Sequence, residues 1–299
     1  GCTSHDIVQQ CRRIFRQKKI GHCGTLDPSA TGLLLLTLGK ATRLTRFLIR
    51  APKVYEGEVH FGIETDTYDA SGEKVAEKPT SGLTEADIAD TMATFEGEIQ
   101  QAPPRYSAKK IHGQKYYELA RRGEEVPVET KTVTVYEFLP TGPLVDDRIH
   151  FRLGCASGTY ARSLAHDLGQ ALGCGAHLSS LRRLQVGPFK VGASLTVEAI
   201  EERFRAAAAG SAPPDLAEAW IPFDEIPMPF PEVVADAVQE GRLRNGQTIL
   251  VRDLQGEEGD WVKLLSQRRQ FIAIGSVVER IGNRGVGVVQ PKVVFHDGP

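Results

Sequence analysis

A single acidic residue, Asp27, lies in a short glycine-rich stretch that could present a carboxylate for chemistry. The stretch reads GHCGTLDPSATG and runs from Gly21 to Gly32. Glycine permits positive φ and aspartate bonds to nearby backbone, so this composition is typical of a rigid turn. The apolar run that follows, Leu33 to Gly39, has the length of a buried strand. We therefore predict a carboxylate on a rigid loop that leads into the core, the alternative being a turn that only caps the strand.

The surroundings of Asp27 are strongly basic. Between Ile7 and Tyr55 the sequence has ten lysines and arginines, and Asp27 is the only acidic residue in that window. The formal net charge of the whole chain is only −2, so the positive charge is local. Because phosphate contacts act within about a Debye length, a local basic field is sufficient to bind nucleic acid. The alternative is that these cations only solvate two helix faces.

Three motifs together resemble one enzyme family. The string GHCGTLDPSATGLLLLTLGKATRL resembles the catalytic-loop motif G-H-[TC]-G-x-L-D-P-x-A-x-G-x-L of the TruB family, the tRNA pseudouridine-55 synthases. Gly158–Arg162 resembles the second motif, G-T-Y-x-R, and Leu181–Phe189 resembles the third, L-R-R-x-x-x-G-x-F. The resemblance is to the bacterial, stand-alone type. It begins inside the family's K-P-x-G-x-T-S motif, so we expect a strand carrying Lys and Pro to precede Gly1.

The resemblance implies catalytic and substrate-binding roles. Asp27 would attack C1′ of the target uridine or remove its 2′ proton, so that neither metal nor cofactor is expected. Arg162 would pair with Asp27 and keep it ionised and oriented, and Tyr160 would contact the base near carbon 5. Tyr55 would stack on the uracil, unless it is an ordinary core aromatic, and Leu181 would help to line the pocket.

Further residues would hold the RNA. A nucleotide must leave its stack to reach such a pocket; by resemblance, His22 would fill the gap in the T-loop, and Arg183 would contact the RNA backbone or support the pocket. Gln101–Val126 interleaves cations with tyrosines, which suits an RNA loop or, alternatively, a helix packed on the core. This segment resembles the family's flexible thumb insertion. The RNA-binding residues predicted there are Arg105, Lys109, Lys110 and Lys115.

The elements that must position these residues follow from periodicity and capping patterns. Alternation of period two predicts strands at residues 54–62, 132–140 and 148–157. Thr84 and Thr159 are predicted helix N-caps, the second with Tyr160 and Arg162 in the first turn of its helix. The polar stretch Glu64–Glu73 has no complete calcium-loop spacing and is interpreted as a structural turn.

The predicted fold is mixed α/β (α+β), of the pseudouridine-synthase-like type. It has a mainly antiparallel sheet flanked by helices and a small C-terminal β-barrel-like module of PUA type. Proline and alanine crowding between residues 206 and 230 marks a domain edge. We predict a catalytic domain at 1–225, with the thumb-like insertion at about 101–130, and a PUA-like RNA-binding module at 226–299. A purely structural C-terminal cap is the alternative.

Composition limits the class of protein. The chain is 41% apolar and 25% charged, as in ordinary soluble globular proteins, and no apolar run approaches the roughly 20 residues of a membrane span. Its five cysteines form neither C-x-x-C nor zinc spacing, which indicates reduced thiols in a cytoplasmic enzyme.

Taken with the resemblance, this predicts a monomeric enzyme that isomerises uridine 55 in the tRNA T-arm without a protein partner. One alternative is a non-catalytic tRNA-binding or tRNA-folding protein. Another is a guide-RNA-dependent relative that works inside a multi-protein particle.

Overall fold

A computed structural model of the chain describes residues 2–104, 110–111, 114–115, 130–209, 214–282 and 285–295. The α-helices in these ranges are α1 (Ser4–Ile14), α2 (Thr45–Leu48), α3 (Glu85–Ala93), α4 (Ala161–Ala171), α5 (Val197–Ala209) and α6 (Ala237–Arg244). Short 3-10 helices lie at Gly39–Leu44, Val191–Ala193, Ala217–Ala219 and Phe223–Glu225. No helix among the described residues is both long enough and apolar enough to cross a membrane.

The strands supply most of the framework. In chain order they are β1 (Ile20–His22), β2 (Thr31–Gly32), β3 (Leu36–Leu38), β4 (Lys53–Phe61), β5 (Ile63–Thr65), β6 (Lys74–Glu77), β7 (Gly97–Gln101), β8 (Lys110–Ile111), β9 (Gln114–Lys115), β10 (Lys131–Pro140), β11 (Arg148–Cys155), β12 (Ala176–Val186), β13 (Phe189–Lys190), β14 (Glu232–Val234), β15 (Ile249–Val251), β16 (Trp261–Leu265), β17 (Phe271–Ile281) and β18 (Val286–Val294).

The residues group into two compact units, each made of several chain segments. Unit 1 comprises Gly1–Gln9, His22–Leu35 and Ile49–Ser194, and unit 2 comprises Gln10–Gly21, Leu36–Leu48 and Leu195–Pro299. The predicted domain boundary after residue 225 stays a prediction.

Unit 1 is built on a seven-stranded sheet with the order β13-β12-β4-β11-β10-β7, in which β2 pairs with β12. Neighbouring strands along this order are antiparallel, whereas β2 and β12 are parallel. Along β4 the side chains of Val59 and Phe61 are buried, and they belong to one core with Ile88 of α3 and Leu164 and Leu168 of α4. The predicted mixed α/β fold with a mainly antiparallel sheet is confirmed.

Unit 2 contains a five-stranded sheet with the order β14-β16-β17-β18-β15. Its core includes Ile249, Val262, Leu264 and Val289 from the strands and Leu243 from α6. The predicted β-rich C-terminal part is confirmed, and its sheet fits a PUA-like module.

Two local predictions fail and one succeeds. Thr84 caps α3 in a capping box with Asp87, as expected. Thr159 does not cap α4, because the N-cap residue is Tyr160 and its side chain makes no capping bond. The apolar run that starts at Leu33 forms a strand only at Leu36–Leu38. The first residue of the run pairs elsewhere, because the Leu33 amide donates to the Arg183 carbonyl of β12 at 2.8 Å.

Candidate active site

A cavity of about 390 Å³ in unit 1 brings together most of the predicted site residues. Its walls come from the loop that carries Asp27, from β4, from the segment leading into α4, and from β12. The predicted residues that line it are Asp27, Tyr55, Tyr160, Arg162, Leu181 and Arg183. His22 lies outside the described lining of this cavity, at the end of β1.

The loop that carries Asp27 is fixed at both ends. The Leu26 amide donates to the Ser4 hydroxyl at 2.9 Å, and the Ala30 amide closes a turn on the Asp27 carbonyl at 2.9 Å. Gly32 has φ +95°, and a Cβ there would lie 2.3 Å from the carbonyl oxygen of Arg183. Glycine is required at this position, because only it permits both the φ angle and the close approach to β12.

Asp27 and Arg162 form a bidentate ion pair. Arg162 Nε lies 2.8 Å from Asp27 Oδ2, and Nη2 donates to Oδ1 at 3.1 Å. Such a fork fixes the plane of the carboxylate as well as its position. The Arg162 side chain is 6% exposed and that of Asp27 is 36% exposed, so the acid keeps an accessible surface while its partner is buried.

A turn between β5 and β6 holds the other side of Arg162. Its Nη1 donates to the Thr67 carbonyl at 3.1 Å and lies 3.5 Å from Asp69 Oδ2. Asp69 is buried, and its Oδ1 accepts from the hydroxyls of Thr67 and Ser71 at 2.8 and 2.5 Å and from the Ser71 amide at 2.9 Å. The sequence pattern indicates only a structural turn here and does not reveal the contact with Arg162.

Tyr160 is held by hydrogen bonds to its backbone, and its own side chain makes no capping bond. The buried Gln101 amide group accepts from Tyr160 N at 2.8 Å and donates to Tyr160 O at 3.1 Å. Ser163, in the first turn of α4, donates to the Ala102 carbonyl at 2.8 Å. The end of β7 therefore fixes the start of α4, and Gln101 is a second supporting residue that the sequence pattern did not reveal.

Arg183 lies in the wall of the cavity and is only 1% exposed. Its guanidinium donates to the carbonyls of Leu33, Gly24 and Thr25 at 2.8, 3.1 and 3.5 Å. These contacts favour pocket support over RNA backbone contact, the two roles considered for it. Its β12 position pairs with Tyr55 of β4, and burial raises the pKa of the Tyr55 phenol, which keeps that side chain neutral.

Lys53 is a further buried cation in the cavity wall, whereas its sequence context indicates only a basic surface. Its Nζ donates to the carbonyls of Ile49 and Ala51 at 2.5 and 2.8 Å. Burial, helped by the nearby charge of Arg183, lowers the pKa of Lys53 to about 8. Burial likewise raises the pKa of the Cys23 thiol to about 12, so this neighbouring cysteine is a neutral thiol.

The residues predicted to hold the RNA are described only in part. Arg105 and Lys109 lie outside the described residues. Lys110 and Lys115 lie on the short hairpin of β8 and β9, of which the backbone is described. Burial lowers the pKa of His22, so its imidazole is neutral at neutral pH. No group of three His, Cys, Asp or Glu side chains in the described ranges could hold a metal ion.

The overall fold has counterparts among solved structures. The chain is similar to an H/ACA RNP bound to a substrate RNA containing 2′-deoxyuridine, with a TM-score of 0.76 and 26% identity, over 99% of this chain and 82% of that chain. It is also similar to a Cbf5-Nop10-Gar1 complex, with a TM-score of 0.74 and 28% identity over 99% and 82% of the two chains. The fold is that of a pseudouridine synthase.

Sequence comparison narrows the class to one family. The TruB family pseudouridylate synthase N-terminal domain matches residues 12–161, and two TruB C-terminal domains match residues 162–226 and 231–295. The tRNA pseudouridine synthase B of Solibacter usitatus is 43% identical over 93% of this chain and 92% of its own length. That of Caldanaerobacter subterraneus is 39% identical over 92% and 91%. The chain therefore belongs to the TruB family.

Proposed function

We propose that this chain isomerises uridine 55 in the T-loop of tRNA to pseudouridine. The observation that carries the proposal is the bidentate pair of Asp27 and Arg162 at a cavity that Tyr55 and Tyr160 also line. The names of its relatives, tRNA pseudouridine synthase B, support tRNA as the substrate.

The reaction breaks the N1–C1′ bond, turns the uracil and joins C5 to the same C1′, after which C5 loses its proton and N1 gains one. The free-energy cost of the reaction lies in forming a cation-like sugar and an anionic base. The accessible part of the Asp27 carboxylate can meet this chemistry in two ways, by attacking C1′ or by removing the 2′ proton. Arg162 contributes by fixing the carboxylate in one orientation, so that no reorganisation is needed when the bond breaks.

The other cavity residues act on the base. Tyr55 stacks on the uracil, Tyr160 contacts it near C5 and relays the proton, and Leu181 lines the pocket. The nucleotide enters by leaving its stack, and His22 fills the gap that it leaves. The four cations at 105, 109, 110 and 115 pair with the phosphates of the T-arm.

The same proposal covers the organisation of the protein. Residues 1–225 act as the catalytic domain and residues 226–299 as the RNA-binding module. The enzyme works as a cytoplasmic monomer, without a protein partner and without a metal or cofactor.

The test is to map pseudouridine at nucleotide resolution in unmodified tRNA incubated with the purified chain alone. The proposal predicts one modified position, uridine 55, and the same product in an isolated T-arm stem-loop. No modification would favour a non-catalytic tRNA-binding protein. Modification only after a guide RNA and partner proteins are added would favour a subunit of a particle like the H/ACA assemblies. Modification of other uridines alone would contradict the assignment to uridine 55 but would agree with a pseudouridine synthase.

A further inference from the structure

Tyr68 occupies a backbone conformation that is costly for its residue type. Its φ is +64°, in the left-handed region, where bulky side chains are rare and glycine or asparagine is favoured. The residue lies in the turn between β5 and β6, directly between Thr67 and Asp69. A conformation of this cost persists only where surrounding contacts maintain it.

The contact that maintains Tyr68 is with helix α4. The rings of Tyr68 and His166 are stacked, with centroids 3.9 Å apart and planes inclined by 10°. His166 follows Arg162 by four residues on this helix, which is about one helical turn. Burial lowers the pKa of His166, so the ring that stacks is the neutral imidazole at neutral pH.

Three consecutive residues of the turn therefore contact two positions on one helix. Thr67 and Asp69 contact Arg162, and Tyr68 between them stacks on His166. The backbone of the turn is fixed from its other side by β12, because the Leu178 amide donates to the Tyr68 carbonyl at 3.0 Å and the Leu178 carbonyl accepts from the Ala70 amide at 3.0 Å. The stack thus completes a link from β12 through the turn to α4.

We propose that Tyr68 and His166 are positioning residues for the isomerisation. Their stack sets the distance between the turn and α4, so that Thr67 and Asp69 orient Arg162 and, through it, the Asp27 carboxylate. The inference rests on the proposed function of Asp27 and Arg162. It assigns catalytic importance to a strained aromatic residue that is not among the described residues lining the cavity.

The decisive variant is Tyr68→Gly, because glycine relieves the backbone strain while the ring is lost. We expect a thermal midpoint equal to that of the parent or higher, an unchanged Kd for tRNA, and a single-turnover rate lower by about tenfold to a hundredfold, the size of a small misplacement in an active site. Tyr68→Phe and His166→Phe keep a ring for stacking and should retain the rate within about threefold. His166→Ala should lower the single-turnover rate as much as Tyr68→Gly does.

Asp146→Gly is the matched control, since Asp146 also has a positive φ of 49° and lies in an exposed turn that is not part of the described cavity lining. Its rate should equal that of the parent. A parent-like rate in Tyr68→Gly would overturn the inference, as would an equal loss in Tyr68→Phe and Tyr68→Gly. Neither result contradicts the proposed function. That proposal fails if the parent chain forms no pseudouridine or if Asp27→Asn retains full activity.

Discussion

At the scale of single residues, Lys53 shows how the protein retains a charge inside unit 1. Its side chain is buried, it bonds to two backbone carbonyls, and its pKa falls from 10.5 to about 8. Below pH 8 both the folded and the unfolded chain hold this proton, and folding bears the full cost of the buried charge. Between pH 8 and 10.5 only the unfolded chain still holds it, so this residue's contribution to stability rises with pH across that window.

Replacement of Lys53 should therefore change how stability depends on pH. We expect the free energy of unfolding of the parent to rise relative to that of Lys53→Met by at most about 3 kcal/mol between pH 8 and 10.5. Urea denaturation at several pH values measures the difference, in which the titration of other groups cancels. Lys18→Met, at an exposed lysine, is the control. A difference that stays constant or shrinks with pH would show that Lys53 is not a destabilised cation in the folded state.

At the scale of elements, the register of the Asp27 loop on β12 depends on one glycine. Gly32 pairs with Arg183 in the short parallel pairing of β2 with β12, and its absent Cβ would collide with the backbone there. Gly82 has the same φ of +95° with nothing within 4 Å of its virtual Cβ. Substitutions at these two glycines therefore distinguish the cost of backbone strain from the cost of the steric clash.

Alanine at each of these positions should have different consequences. Gly82→Ala should lower the free energy of unfolding by about 1–2 kcal/mol through backbone strain alone and leave the catalytic rate unchanged. Gly32→Ala should cost about 1–3 kcal/mol more, because of the steric clash, and should also slow catalysis by moving the loop of Asp27. Denaturation curves and single-turnover rates measure both. Equal stability losses, or an unaffected rate in Gly32→Ala, would contradict this account of the loop.

Elements and supporting residues differ in how far the sequence predicts them. Strand alternation and the Thr84 capping box depend on neighbours in the chain, so these local patterns predicted their elements. The contacts of Arg162 with Asp27 and Thr67 join residues 135 and 95 positions apart, and motif resemblance supplied only the first of them. Asp69 and Gln101 act through tertiary contacts that no local pattern records. Thr159 was predicted as a cap from its residue type alone, whereas the backbone geometry places the cap at Tyr160.

At the scale of the whole molecule, the basic segment between Ile7 and Tyr55 offers fewer cations to RNA than its count of lysines and arginines suggests. Several of its cations have partners inside their own unit. In unit 2, Lys40 lies 4.3 Å from the ring of Phe223, and Arg43 lies 5.3 Å from that of Phe295. Lys53 is buried in unit 1. The exposed cations at the end of α1 and after it, Arg13, Arg16, Lys18 and Lys19, are the better candidates for phosphate contacts.

Salt dependence of tRNA binding distinguishes these two groups of cations. Each phosphate contact contributes about 0.7 to 0.9 to the slope of log K against log salt concentration. Lys18→Gln should reduce the slope by about that amount, whereas Lys53→Met should leave it unchanged, because a buried lysine releases no counterion. Binding titrations between 50 and 200 mM salt, a range of about fourfold, resolve the difference. The reverse order would place the RNA surface elsewhere.

We propose above that the Asp27 carboxylate, held by Arg162, performs the isomerisation. Tritium release from carbon-5-labelled tRNA by Asp27→Asn, measured beside the Kd of this variant for the same tRNA, tests that role. Asparagine keeps the size of the side chain and removes its charge, so we predict no detectable release and binding within about threefold of the parent. Release at the parental rate by the Asn variant would show that the isomerisation does not need the carboxylate.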